Sequence, residues 1–464
     1  MSGACEGFMN KYLVRLTLAC FSLFITSAFA ADAGLPRVAF TETRLDNGLR
    51  VILAPDHSAP VLAVNVIYDV GSRNERPGRT GFAHLFEHMM FQGSENVGKG
   101  EHFMLLENNG GDFNGTTNED RTTYFEIVPK NQLDLALFLE ADRMGKLAVN
   151  QVNLDNQRNA VQEERRLGID NQPYGKAQLE IDNLTYDCFA YKHSTIGSMA
   201  DLNAANLQDV QDFFRTYYAP NNAVLSLVGD FDPAEAIEKV KKYFGAIARQ
   251  PAPPPPPVCE EDRYGERRET VMDPLARLPL LIISYQIPPG NTPDNYAARV
   301  LGDVLGTGKS SRFYQHLVKD KQLATDVGVQ VDARRGISSF YINATPRPGV
   351  NPEDMEKAIY EELDAVAKSG VSNDEIEKAR MQFRHRMVQG RESALITAIR
   401  LGQYAVYFND PDLINTMVAK YNAVTTEDVK TAARKYFVVN QRAVVVAMPE
   451  PQAGSAAGQP GGQQ

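Results

Sequence analysis

The chain has 464 residues, 43% of them apolar and 23% charged, with a formal net charge of −10. That balance suits a globular chain too long for a single hydrophobic core, so two domains or more are expected. The acidic excess argues against a nucleic-acid partner.

Residues 1–30 read as a secretory signal. Lys11 and Arg15 precede an apolar run from Leu16 to Phe29, and Ala28-Phe29-Ala30 forms a small-x-small cleavage site. Met9 is an alternative start to Met1. The run is short for a membrane anchor, and Leu18-Ala19-Cys20 looks like a lipoprotein site except that the apolar run continues past Cys20. Export across the inner membrane to the periplasm is therefore expected. After cleavage Cys188 and Cys259 remain, without zinc-finger spacing, and their pairing is left open.

Arg44 to Leu53 reads as two strands about an Asn47-Gly48 turn, and Val61 to Asp69 as a further strand. The stretch from Gly81 to Gly93 reads as a helix. Its apolar residues Phe82, Ala83, Leu85, Phe86, Met89, Met90 and Phe91 imply burial nearly all round. His84 and His88 stand one turn apart on one face, with Glu87 beside them. Buried groups of this kind need partners. Two imidazoles at i and i+4 can share a metal, and the neighbouring carboxylate can take a proton from water there. The order His-x-x-Glu-His inverts the His-Glu-x-x-His zincin motif. A catalytic zinc needs a third ligand, and the polar helix Asn153 to Arg166 offers Glu163 and Glu164, between which the residues themselves do not choose.

Around these, Gly98 to Asn108 reads as a helix, and Phe113 to Thr117 and Thr122 to Val128 as paired strands. Leu133 to Met144, Gly175 to Leu184, Asp209 to Tyr217 and Pro233 to Phe244 read as helices, and Val224 to Val228 as a strand. Five consecutive prolines within Ala252 to Val258 mark an extended linker. Beyond it the pattern repeats. Asn206 to Val228 is echoed by Thr425 to Met448, and Pro60 to Asp69 by Leu278 to Gln286 ahead of a helix at Tyr296 to Leu305. The expected fold is α+β: two duplicated α/β-sandwich-like halves, each a mixed sheet with helices packed on it. They span 36–248 and 263–449, joined by 249–262 and followed by a Gly/Ala/Gln/Ser-rich tail, 450–464, that reads as disordered. The second copy lacks the His/Glu pattern, so one metal per chain is expected.

His84-Leu85-Phe86-Glu87-His88, followed by Val161-Gln162-Glu163-Glu164, resembles the pitrilysin/insulinase family of inverted-motif zinc peptidases. The nearest likeness is to short bacterial two-domain members related to the mitochondrial processing peptidase. It runs from Val38 to Met448 and includes Asn109 to Thr117, Asp120 to Tyr124 and Gly306 to Arg312. The resemblance implies a clamshell peptidase with one Zn2+ on His84, His88 and Glu164, and Glu87 as general base. It also implies that substrate adds as a strand to an edge strand at Asp112 to Thr117. That would place Phe113, Asn114 and Gly115 beside the peptide, although an Asn-Gly pair also reads as a turn. Gln157 stands where relatives often carry a supporting Glu.

Members of the family use an Arg and, seven residues on, a Tyr from the opposite domain to hold substrate. The matching positions here are Val318 and Thr325. Arg312 belongs instead to a Gly-Lys-Ser-Ser-Arg stretch, and Gly306 to Lys309 lacks the spacing of a phosphate loop. The family closes its chamber with four duplicated units and this chain has two. A heterodimer with a zinc-less homologue is therefore implied, with a homodimer as the alternative, acting on peptides or unfolded polypeptides. The rival reading is a non-catalytic assembly or peptide-binding subunit of the same fold.

Overall fold

The computed structural model describes residues 35–257, 259 and 265–450. The stretch read as a secretory signal, the tail beyond Glu450 and part of the expected linker lie outside the described residues. The described residues from Ala39 onward form one compact unit.

Asn47 and Gly48 turn the chain between β1 (Thr41–Arg44) and β2 (Arg50–Pro55), with Arg44 opposite Arg50. Gly48 has φ +94°, and a Cβ there would lie 2.6 Å from that of Asn221, so the turn requires glycine. There follow β3 (Val61–Tyr68), α1 (Phe82–Met89), α2 (Glu101–Asn108), β4 (Asp112–Thr117), β5 (Thr122–Pro129), α3 (Leu133–Lys146) and α4 (Gln151–Arg165). The first half ends with α5 (Gly175–Thr185), α6 (Leu207–Tyr217), β6 (Ala223–Gly229) and α7 (Pro233–Phe244). Of the boundaries that differ from the sequence expectation, two have clear local reasons. Gly100, left-handed at φ +80°, delays α2 to Glu101, and Asn150 caps α4 by accepting from the Asn153 N–H, so the helix opens at Gln151.

The second half comprises β7 (Arg267–Asp273), β8 (Leu280–Ile287), α8 (Pro293–Gly306), β9 (Ala324–Asp332), β10 (Ser338–Pro346), α9 (Pro352–Ser369) and α10 (Asn373–Arg391). It closes with α11 (Ala394–Phe408), α12 (Leu413–Asn422), α13 (Thr426–Tyr436) and β11 (Arg442–Pro449). The first sheet runs β1-β2-β6-β3-β5-β4 and the second β7-β11-β8-β10-β9. In each, the first crossover pair (β2–β6, β7–β11) is parallel and the strands beyond it are antiparallel. The duplication read from the sequence is thus present in five strands of each sheet, β1 having no counterpart in the second.

β3 and β8 are apolar on both faces and buried along nearly their whole length, as strands covered on both sides must be. One face of the first sheet, carrying Leu62, Val64, Val66 and Tyr68, packs with Phe86, Leu137 and Val240 of α1, α3 and α7. The other face is covered by α11, which comes from the second half. Reciprocally, Ala177 and Ile181 of α5 pack on Leu280, Ile282 and Val445 of the second sheet. Gly402 allows α11 to approach closely: a Cβ there would lie 2.9 Å from both Asn65 Nδ2 and Ile67 Cγ2. Each sheet therefore borrows a helix from the other half. Residues 251–257 carry no helix or strand, and Cys188 is bonded to Cys259 beside Tyr186, Tyr191 and Ile337.

Candidate active site

α1 opens at Gly81, whose φ of +86° and close approach to Ile196 (2.6 Å from a built Cβ to the carbonyl oxygen) exclude a side chain. No side chain caps the helix from the usual position. Instead Glu75, fully buried, accepts from the Gly81 N–H at 2.9 Å and the Ala83 N–H at 2.8 Å, and faces His193 Nε2 at 2.9 Å. Burial pushes the Glu75 carboxyl up. Burial pulls His193 down, but its hydrogen bond to Glu75 and the carboxylate's charge outweigh this and hold it above its ordinary value. Sequence reasoning missed this pair. A Glu six residues ahead of Gly81 lies outside any capping-box spacing, and His193 is far off in the chain.

The buried face of α1 is fixed by Phe86, which stacks on Phe213, Phe214 and Tyr218. His84, Glu87 and His88 are left on the face turned to α4 and β4. The two imidazole side chains are 12% and 27% exposed. α4 crosses α1 and delivers Glu164, whose Oε2 lies 3.1 Å from His88 Nε2 and 3.6 Å from His84 Nε2. Glu163 points away and accepts from Arg166 at 2.9 Å. Rotation about α4 thus brings Glu164, and not Glu163, to the two imidazoles. Gln157, two turns earlier on α4, is buried, bonds to His88, and donates its Nε2 to Asn156 Oδ1 at 2.6 Å.

Burial, reinforced by His88, pulls His84 down to about 4, which leaves a neutral ring with a lone pair. Burial also pulls His88 down, but the hydrogen bond and charge of Glu164 raise it above its ordinary value. The same bond to His88 holds Glu164 below the usual carboxylate range. Burial pushes Glu87 up, opposed by a hydrogen bond from Thr117. The ligand atoms of His84, His88 and Glu164 lie within 4.8 Å of one another, and no other such group of His, Cys, Asp and Glu occurs among the described residues. Two imidazole nitrogens and one carboxylate oxygen converging this closely fit a tetrahedral zinc with one position left over.

β4 is the outer strand of its sheet and lies against α1. A Cβ on Gly115 would meet Glu87 Cγ at 3.0 Å. Asn114 sits within the strand opposite Phe125 and is exposed, its Oδ1 accepting from the Gly115 N–H at 2.8 Å; the alternative turn reading therefore fails. Phe113 is half-buried in an aromatic group with Phe91 and Phe103. Val318 falls in the π-helical turn Tyr314–Asp320 and Thr325 at the start of β9. Arg312 is held by Glu375 at 2.6 and 2.8 Å.

A family model described as "Insulinase (Peptidase family M16)" matches residues 50–198, and one described as "Peptidase M16 inactive domain" matches residues 204–383. Zinc protease PqqE of Helicobacter pylori is 30% identical over 95% of this chain and 100% of its own length. The uncharacterized zinc protease YmxG of Bacillus subtilis is 24% identical over 84% of this chain and 94% of its own. Among solved structures, a protease from Helicobacter pylori superposes with a TM-score of 0.84 at 29% identity, covering 89% of this chain and 100% of that one. A putative M16-like peptidase from Alicyclobacillus acidocaldarius shares the fold, with a TM-score of 0.78 at 19% identity over 89% of this chain and 98% of that one.

Proposed function

Since the chain belongs to the insulinase family, peptidase family M16, we propose that it is a zinc-dependent endopeptidase acting on peptides or unfolded polypeptides. The observation that carries this reading is the convergence of His84, His88 and Glu164, from two separate helices, beside the half-buried Glu87. Held by those three side chains, a zinc ion would acidify a water and polarise the scissile carbonyl. Glu87 accepts the proton of the attacking water and returns it to the leaving amine. Its raised affinity for protons suits a group that must both take and give one. The outer edge of β4 offers backbone N–H and C=O groups to an extended substrate, with Phe113, Asn114 and Gly115 along it.

The missing Arg/Tyr pair at Val318 and Thr325 supports a chamber completed by a second, homologous subunit, zinc-less in the favoured form. The Cys188–Cys259 bond suits an oxidising compartment, and with the leader-like residues 1–30 it supports a periplasmic site of action. The test is zinc content together with hydrolysis of a labelled unfolded polypeptide, for wild type and Glu87→Gln. One zinc in each and turnover in wild type alone are expected. A wild-type chain that takes up no zinc at saturation would overturn the reading.

A further inference from the structure

The segment from Cys188 to His193 is tied down at its start by the disulfide and delivers, at its end, the side chain behind the cap of α1. Cys188 is half-buried, and Cys259, its partner, is 8% exposed. Cys259 follows the proline run, in which Pro253 and Pro256 are the more buried residues. The three share an inward face at the three-residue period of an extended proline chain. The Cys188 carbonyl accepts from the N–H groups of Tyr191 and Lys192 at 3.1 Å each and so starts the helical turn Phe189–Lys192. Tyr191 donates its hydroxyl to Asp120 Oδ1 at 2.8 Å and accepts from the Gly336 N–H at 2.9 Å. His193 has Nδ1 2.6 Å from the Phe189 carbonyl oxygen, stacks on the Phe189 ring, and has Nε2 2.9 Å from Glu75 Oε2. Glu75 in turn accepts from the Gly81 and Ala83 N–H groups, the second of them next to His84 in the chain. A continuous path of covalent and hydrogen bonds therefore runs from the disulfide to the turn that carries His84.

A helical turn of four residues is too short to hold itself, so its order comes from its tethers: the disulfide at its start, Tyr191 and His193 at its end. We propose that the Cys188–Cys259 bond is a redox latch on the metal site. While it is closed, His193 is held against Glu75 and the His84 turn is ready for zinc; when it opens, the turn loosens and zinc affinity falls. This rests on the zinc peptidase reading above. Opening is a thiol–disulfide exchange with a dithiol reductant. A thiolate of the reductant attacks the half-buried Cys188 sulfur, the Cys188–Cys259 bond breaks, and Cys259 leaves as a thiolate that takes up a proton. The second thiol of the reductant then displaces Cys188, which is protonated in turn. Two electrons pass to the protein and the reductant ends as a disulfide. The reverse exchange with a disulfide oxidant closes the latch, so the site reaches full metal affinity only in an oxidising compartment.

The test takes the full chain in its oxidised form, after reduction with a water-soluble phosphine that is then removed, and as the Cys188→Ser/Cys259→Ser variant. His193→Gln is carried through the same two redox states. The readouts are zinc affinity by competition with a chromophoric chelator, zinc-dependent hydrolysis, far-UV dichroism, and metal-free hydrogen exchange at the Gly81 and Ala83 amides. Reduced wild type and the double serine variant should bind zinc roughly tenfold more weakly than oxidised wild type, the effect of losing a group that supports a metal ligand. Dichroism should be unchanged, exchange at Gly81 and Ala83 faster, and reoxidation should restore wild-type affinity. His193→Gln should bind weakly in both states, reduction adding little, because the two changes break one path. Unchanged zinc affinity on reduction, or additive losses in reduced His193→Gln, would overturn the latch. So would loss of dichroism on reduction, which would show that the bond holds the whole fold and not this turn. Zinc-dependent hydrolysis with redox-independent zinc affinity sinks this inference alone, whereas redox-dependent zinc affinity without hydrolysis sinks the peptidase reading alone.

Discussion

Replacing Glu75 with Ala takes away the acceptor on which the first turn of α1 ends. The Gly81 and Ala83 N–H groups lose partners at 2.9 and 2.8 Å, in a place closed by the approach of Gly81 to Ile196. Each buried donor left without a partner costs about 1–3 kcal/mol. Relief of the carboxylate's own desolvation, visible in its raised proton affinity, offsets part of this, for a net loss of about 2–4 kcal/mol. With an unfolding entropy of about 2.1 cal/mol/K per residue over roughly 400 residues, the melting temperature should fall by about 2–5 °C. The melt is best followed with zinc removed, because bound metal stabilises on its own account. His84 sits in the same turn, so zinc affinity, measured by competition with a chromophoric chelator, should weaken roughly tenfold. Glu75→Gln keeps one acceptor oxygen and should fall between. The pH dependence has a definite sign. Glu75 holds His193 above its ordinary 6.5, so the folded state binds that proton more tightly than the unfolded chain does. The contribution is complete below about 6.5 and fades as pH rises through the raised value, so the gap between wild type and Glu75→Ala should narrow above neutrality without closing. A variant melting within about 1 °C of wild type, with unchanged zinc affinity, would refute the capping role.

Glu164→Ala should lose zinc, while Glu163→Ala, whose carboxylate faces Arg166 at the surface, should bind zinc and hydrolyse as wild type; metal analysis of the two variants distinguishes them. Reducing the Cys188–Cys259 bond, which spans 71 residues of sequence, should cost roughly 2–4 kcal/mol; a melt unmoved by reductant would argue that the bond contributes nothing. Residues 36–248 expressed alone would lack α11 over the first sheet and should show native-like far-UV dichroism with dye binding and poor NMR dispersion; a well-dispersed, monomeric fragment would contradict the need for the borrowed helix.

The candidate metal site was legible because two of its members, His84 and His88, lie four residues apart on one helix, a spacing that survives any fold the chain adopts. Glu164 against Glu163 was not decided by the residues, since rotation about α4 decides it and that rotation is set by tertiary packing. The paired strands and the duplication were legible for a similar reason: alternation and the echoed Asn-x-x-Asp and Thr-x-x-Asp caps of α6 and α13 are local signals. Glu75 and His193 left no such trace. Each acts across a chain separation that no periodicity encodes, and a buried Glu ahead of a helix looks in sequence like any exposed one.

The exchange of α5 and α11 ties the half that carries the His84/His88/Glu164 cluster to the half that lacks one. Had each half covered both faces of its own sheet, the second could change shape without disturbing the first. Instead α11 fills the space above Asn65, Ile67 and Ser226, within 2.9–3.1 Å of where a Gly402 Cβ would stand, and the apolar side chains of α5 complete the second core. A change of even one methylene at that contact is felt by the first sheet, because close-packed interiors do not absorb it. The metal-free half is therefore held to its shape by the half that carries the site, and the constraint runs in both directions: β3, β5 and β6, the strands under α11, are the ones that support β4 and the motif helix.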